Sequence, residues 1–202
     1  LKNRFSDYIV DFNQQDKAKS VEKIFDDFSK VVIEKKNGGV DNFSFEDMMR
    51  LTMKKIKKES NVDINVPENI TFDGVFNCLV KYPVEMTNRC PENVGGAYFP
   101  PGRKVYINQN AREIDKLHSL IHELCHYLFK HDIGEYVPRC ELEAEFTTYV
   151  VEKMMGIENH HSKFYIFFVA QDIDNIEQTI NICKDDILRT SKQLLQNLDC
   201  YL

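Results

Sequence analysis

The run HSLIHELCHYLFKH, from His118 to His131, holds four of the chain's six histidines and one acid, Glu123, among leucines. His122, Glu123 and His126 spell H-E-x-x-H. On a helix, residues i and i+4 lie one turn apart on the same face, so both imidazoles can reach one tetrahedral metal ion. The glutamate beside the first histidine is then held next to a metal-activated water, where a general base is needed. Chance would place this motif in on the order of one or two chains of this length per hundred. A lone histidine on an apolar helix is more often a satisfied core residue, so the spacing has to carry the argument.

A zinc site of catalytic type needs a third protein ligand and an open position for water. CELEAEFTTYVVEKMMG, from Cys140 to Gly156, offers it. Glu141 and Glu145 share a helix face with Thr148 and Glu152, while Leu142, Phe146, Tyr149 and Val150 turn to the core. One carboxylate suffices as ligand, and its neighbour one turn on can accept the N–H of a ligating imidazole. Glu143 points away, at about 200° from Glu141. His118 could add a fourth ligand and close the site, but a place beside the ligands or on the surface suits a catalytic centre better. His131 falls just past the helix, in the loop. Cys125 and Cys140 read as packed thiols.

These residues need rigid elements to position them. The metal-binding helix is expected to be capped by Asn110 with Glu113 and to end near Lys130, with Ile114, Leu117, Ile121, Leu124 and Leu128 as its apolar stripe. Pro138 suits the first turn of the next helix and Gly156 its stop. Further helices are expected from about Ser162 to Ala170 and from about Asp174 to Leu198. Before the motif, GGAYFPPGRKVYIN reads as two short strands around a type II turn centred on Pro101-Gly102. Earlier still, Val21, Ile24, Phe25, Phe28, Val31 and Val32 form one helical stripe, stopped by Gly38-Gly39. A second early helix is expected from Ser44, through Met48, Leu51 and Ile56, to the basic cluster Lys54 to Lys58. Few, clustered strands among many helices make the class α+β. Residues 1–66 form a helical N-terminal region whose stripes favour packing on the core, and 67–202 a metal-binding domain.

HELCHYL followed by ELEAEFTTYVVEKMMGI resembles the zincin domain of antirestriction ArdC/LtrC-like proteins, relatives of ImmA/IrrE-type metallopeptidases. The likeness covers about Leu117 to Ile157 and continues loosely through SKFYI. It implies a zincin-like fold with a small sheet before the H-E-x-x-H helix. It also implies one zinc ion on His122, His126 and Glu141, with Glu145 orienting a histidine. Thr147 and Thr148 depart from the family's small residues, and Glu143 occupies a position the family treats loosely.

Composition bounds the rest. At 202 residues and 43% hydrophobic, the chain can build one good core. A net charge of −6 argues against a dominant nucleic-acid surface. Six scattered cysteines with no C-x-x-C pair suggest reduced thiols and a cytoplasmic setting. No apolar run approaches ~18 residues, so no membrane span is expected. The chain opens on Leu1, which suggests a segment cut from a longer protein.

The resulting expectation is a zinc-dependent endopeptidase acting on a protein or peptide. Glu123 is its general base, and Tyr149, Tyr98 or Tyr136 donates to the developing oxyanion. Gly95 to Phe99 is the candidate edge strand for an extended substrate. Two other readings stand beside it. One is a DNA-associated antirestriction or mobile-element protein with a structural or regulatory zincin domain, supported by Lys54 to Lys58. The other is a degenerate zincin used as a scaffold, against which the intact Glu123 argues. Substrate preference and oligomeric state are not written in the sequence.

Overall fold

The computed structural model describes residues 3–37, 64–91, 94–133, 135 and 137–202. The fold is α+β and mostly helical, with a small three-stranded sheet. Helix α1 spans Asn3–Asn37. Its Val21, Phe25, Phe28 and Val32 recur at intervals of four, three and four and are buried. Val31, which the stripe had included, is 39% exposed, because the helical drift brings Val32 inward instead. The expected helix from Ser44, its Lys54 to Lys58 end and the Gly38-Gly39 stop lie outside the described residues.

Strand β1 (Ile64–Asn65) precedes helix α2 (Phe72–Cys78), which Thr71 caps by accepting the N–H of Gly74 at 3.1 Å. Strands β2 (Val84–Thr87), β3 (Gly96–Phe99) and β4 (Lys104–Asn108) form one sheet in the order β2-β4-β3. β2 runs parallel to β4, and β3 antiparallel. The hairpin between β3 and β4 is present, but its turn is not type II. Pro100–Gly102 forms a 3₁₀ turn, and the left-handed residue is Arg103, at φ 48°. Two consecutive prolines, each holding φ near ~−65°, favour that tighter turn and move the positive φ one residue on. The Arg103 guanidinium then lies over the Tyr127 ring, 5.1 Å from its centroid.

Helix α3 (Glu113–Phe129) carries the H-E-x-x-H motif. Its start differs from expectation: Arg112 occupies the cap position, without a side-chain cap, and pairs with Asp115 at 2.7 Å. Asn110 cannot cap, because its backbone is tied into a turn by Asn108 Oδ1 at 3.0 Å, two residues short of the cap position. Leu117, Leu120, Ile121, Leu124 and Cys125 are its buried stripe, with Ile114 and Leu128 at the margin.

Helices α4 (Val137–Met154), α5 (His160–Gln171) and α6 (Ile176–Asn197) complete the chain with a final 3₁₀ turn, Asp199–Tyr201. Gly156 ends α4 with φ +76°, as a left-handed stop requires. Beyond it, β5 (Glu158–Asn159) pairs antiparallel with β1, a two-residue ladder that sequence pattern did not anticipate. α4 is the central helix, with every residue from Leu142 to Glu152 buried. Phe146 meets Phe25 at 5.1 Å and Phe28 at 5.5 Å between ring centroids, so α1 shares one core with α4. Among the described residues no helix is long and apolar enough to cross a membrane.

Candidate metal centre

Helices α3 and α4 lie side by side and antiparallel. As the α3 histidines advance a turn at a time through 118, 122 and 126, their carboxylate partners on α4 step back. His118 Nδ1 meets Glu152 at 3.0 Å, His122 Nδ1 meets Glu145 at 2.7 Å, and His126 Nε2 lies 3.5 Å from Glu141. A one-turn ladder of imidazoles thus faces a ladder of acids, and the two sequence motifs become one site.

The open end of that ladder has the geometry of a metal centre. His122 Nε2 and His126 Nε2 are 3.1 Å apart, and each is 3.5 Å from a Glu141 oxygen. Ligands at ~2.0–2.1 Å from a tetrahedral zinc are separated by ~3.3 Å, so the triangle has the right size for one ion. His122, His126 and Glu141 therefore form a group that could hold a metal ion. Electrostatics point the same way. Burial opposes a charge on His122, yet Glu141 and Glu145 raise its pKa well above the usual value. The surrounding carboxylates call for a positive charge. His126 goes the other way: burial and the nearby His122 lower it to about 3, which keeps its ring neutral, as a ligand must be. Burial would raise the Glu141 pKa, but the hydrogen bond with His122 and the charge on that ring bring it below normal.

Glu145 is 1% exposed and holds the rear of His122 through Nδ1. Burial opposes its ionisation, but His118 and His122 outweigh that and bring its pKa down to about 2. Among the described residues its other oxygen, Oε1, has no hydrogen-bond partner. His118 stands behind the triangle, not in it. Its Nδ1–H donates to Glu152, which also accepts from Asn159 Nδ2 at 3.1 Å and Ser162 Oγ at 3.3 Å. His118, His122 and Glu145 form a second group with donor spacing, in which His122 Nδ1 lies 2.7 Å from Glu145.

Glu123 faces the same cleft from the sheet side. Its Oε2 accepts the backbone N–H of Tyr98 at 2.7 Å, and burial raises its pKa. Two glycines permit that approach. A Cβ on Gly96 would stand 2.9 Å from Tyr106 O and from Ile107 Cδ1, and 3.2 Å from Glu123 Cγ; one on Gly95 would meet Ser119 Oγ at 2.1 Å. The cleft, about 610 Å³, is lined by His122, Glu123, His126 and Glu141, by Gly96 to Tyr98 of β3, and by Ile133, Val137 and Tyr165 among others.

The tyrosine assignment needs correction. Tyr149 lies away from the cleft, its ring 4.4 Å from that of Phe28, because its place on α4 turns it toward α1. Tyr98 lines the cleft, and Tyr136 lies outside the described residues. The phenol at the site is Tyr165 of α5, whose hydroxyl donates to Glu141 Oε2 at 3.0 Å. Burial and the Glu141 carboxylate raise its pKa and keep it protonated. It sits in the SKFYI stretch, but no spacing within α3 or α4 could have singled it out.

Two further residues gain a role. Glu143 does face away from Glu141, yet it is buried and takes His131 Nε2–H at 2.9 Å and Arg139 at 3.0 Å. His131 is in the loop but 8% exposed, and its Nδ1 is 2.8 Å from His126 Nδ1. The left-handed Lys130, φ 63°, folds the chain back so that His131 N–H reaches His126 O at 3.1 Å. Thr147 and Thr148 fit a buried helix because their hydroxyls donate to the carbonyls of Glu143 and Ala144, both at 2.8 Å. Cys125 is buried beside Thr148, and Cys140 lies 3.3 Å from Glu135 Oε2.

No family model matches the chain, and no curated protein or solved structure matches it either.

Proposed function

We propose that the protein is a zinc-dependent endopeptidase with a zincin-like fold, related to the ArdC/LtrC and ImmA/IrrE metallopeptidases. The observation that carries this reading is the converging triangle of His122 Nε2, His126 Nε2 and Glu141, with Glu123 on the same cleft. The donor set suits zinc: two imidazoles and one carboxylate, on a cleft open to solvent. Bound there, zinc would supply Lewis-acid chemistry, activating water and polarising a carbonyl.

The chain's own residues supply the rest. Glu145 accepts the Nδ1–H of His122 and so directs the Nε2 lone pair into the triangle. Glu123, one residue from a ligand and with its pKa raised by burial, is placed to take the proton from an attacking water and return it to the leaving amine. Its hydrogen bond to Tyr98 N keeps the carboxylate at the sheet side of the cleft. Tyr165, protonated and already donating at the site, is the donor available to a developing oxyanion. β3 is the sheet's edge on this side: Gly95 O accepts from Asn108 N–H of β4, and by the antiparallel alternation Gly96 and Tyr98 turn their backbone groups away from β4, the Tyr98 N–H reaching Glu123. An extended peptide can add there as a strand.

The test is metal content together with cleavage. Native protein, purified without a histidine tag, should carry about one zinc per chain by elemental mass spectrometry and cleave members of a peptide library. Glu123→Gln should keep the zinc and lose cleavage. Cleavage that persisted in that variant would remove Glu123 from the role of base, and native protein that takes up no zinc would end the reading.

A further inference from the structure

The partner chain behind His126 differs in kind from the one behind His122, and it runs to the protein surface. His126 Nδ1 meets His131 Nδ1 at 2.8 Å, His131 Nε2 meets Glu143 Oε2 at 2.9 Å, and Arg139 Nε donates to Glu143 Oε1 at 3.0 Å. His126 and His131 are each 8% exposed and Glu143 5%, whereas the Arg139 side chain is 44% exposed.

With the Nε2 lone pair of His126 turned toward His122 and Glu141, as a metal ligand requires, hydrogen-bond bookkeeping fixes the protons of the chain behind it. Glu143, paired with a guanidinium, is anionic and can only accept. His131 then donates through Nε2 to Glu143, and its Nδ1 accepts from His126 Nδ1. His126 thus carries its proton on Nδ1, with the Nε2 lone pair aimed at His122 and Glu141. Each link fixes the next, and none uses a group of the cleft's other machinery. The cluster of His131, Glu135 and Cys140 also has donor spacing, but both His131 nitrogens are spent on His126 and Glu143.

We propose that His131, Glu143 and Arg139 are positioning residues for the metal: a three-link relay that sets the tautomer and ring orientation of His126, and through it the affinity of the site for a divalent cation. The inference rests on the metal reading above and extends it from His131, at the cleft wall, to Glu143 and Arg139, which do not line the cleft. Carboxylates usually hold ligating histidines directly; here a second imidazole is inserted. That insertion makes the geometry of one ligand depend on an ion pair at the rim of α4.

The experiment compares native protein with Glu143→Gln, Arg139→Ala and Arg139→Lys. Zinc affinity is measured by competition with a chromogenic chelator, and ligand geometry by the visible absorption of the cobalt(II)-loaded protein. Glu143→Gln offers an amide N–H₂ where an acceptor is needed, and zinc affinity should fall ~10–100-fold, the usual cost of losing a ligand's partner. The cobalt bands should shift or weaken with it. Arg139→Ala should lower affinity by a smaller factor, and Arg139→Lys should restore much of it. Because Arg139 is partly exposed, that pair keeps the test alive should Glu143→Gln fold poorly. A purely structural network would lower the melting temperature of the metal-free variants yet leave cobalt spectrum and zinc affinity at native values, and that result would overturn the relay alone. Native protein that binds neither ion would overturn the metal reading and the relay together.

Discussion

Replacing Glu141 by glutamine isolates the one anionic donor of the triad. Glutamine keeps the volume and an acceptor oxygen but removes the charge that His122 and His126 face at 3.5 Å. If zinc is supplied at about 1,000 times its dissociation constant, binding stabilises the native protein by about 4 kcal/mol. A chain of this size melts ~2–4 °C higher per kcal/mol, so zinc should raise the native melting temperature by ~8–16 °C. A direct ligand should cost at least the ~100-fold at the top of the range for a ligand's partner. The variant would then sit near 10 times its dissociation constant, where binding contributes about 1.4 kcal/mol and ~3–6 °C. The metal-free variant should melt close to native, because Glu141 is 24% exposed at its side chain and the glutamine oxygen can still accept from the exposed Tyr165 hydroxyl. The assay is differential scanning fluorimetry with and without zinc, after chelator treatment. A full native shift in Glu141→Gln would refute the assignment and move the third donor to Glu145, Glu143 or His118.

Three other outcomes follow from the same geometry. Tyr165→Phe should retain zinc but lower kcat by ~10²-fold on any peptide the native protein cleaves, the cost of one oxyanion donor; an unchanged kcat would return that role to another group. Gly96→Ala should destabilise by ~1–3 kcal/mol, since the added Cβ would stand 2.9 Å from Tyr106 O and from Ile107 Cδ1; urea unfolding indistinguishable from native would show that β3 can move off α3. In His118, burial lowers the pKa but Glu145 and Glu152 outweigh it and raise it to about 9. A raised histidine contributes stability that is complete below its unfolded value near ~6.5 and lost as pH rises through the folded one. The urea midpoint of metal-free protein should accordingly fall between pH ~6.5 and ~9, and His118→Gln should flatten that fall; identical pH profiles would sink the pairing.

How much of the site was legible is clearest from particular residues. His122, His126, Glu123, Glu141 and Glu145 could be found because a helix converts spacing of four into a shared face, and that conversion is local. The α+β class, the hairpin before α3 and the stop at Gly156 follow from the same kind of local rule: periodicity, proline, and positive φ at glycine. What spacing could not supply was the pairing of one helix face with another. Tyr149 and Tyr165 are equally plausible in one dimension, and only the packing of α4 against α1 and of α5 beside α4 sends the first ring to Phe28 and the second hydroxyl to Glu141. Arg103 took the left-handed position expected of Gly102 because two prolines set the turn together.

Glu143 and His131 are the strongest case of this limit. One looked like an acid on the far side of a helix, the other like a loop residue, and neither stands at a helical interval from the residue it serves. Local chemistry determined that this chain carries side chains able to hold a metal, at one-turn spacing. The antiparallel packing of α3 on α4, and the left-handed turn at Lys130, decided which oxygen and which nitrogen each would meet. Tautomers and orientations depend on contacts between segments far apart in sequence, and no pattern within one segment contains them.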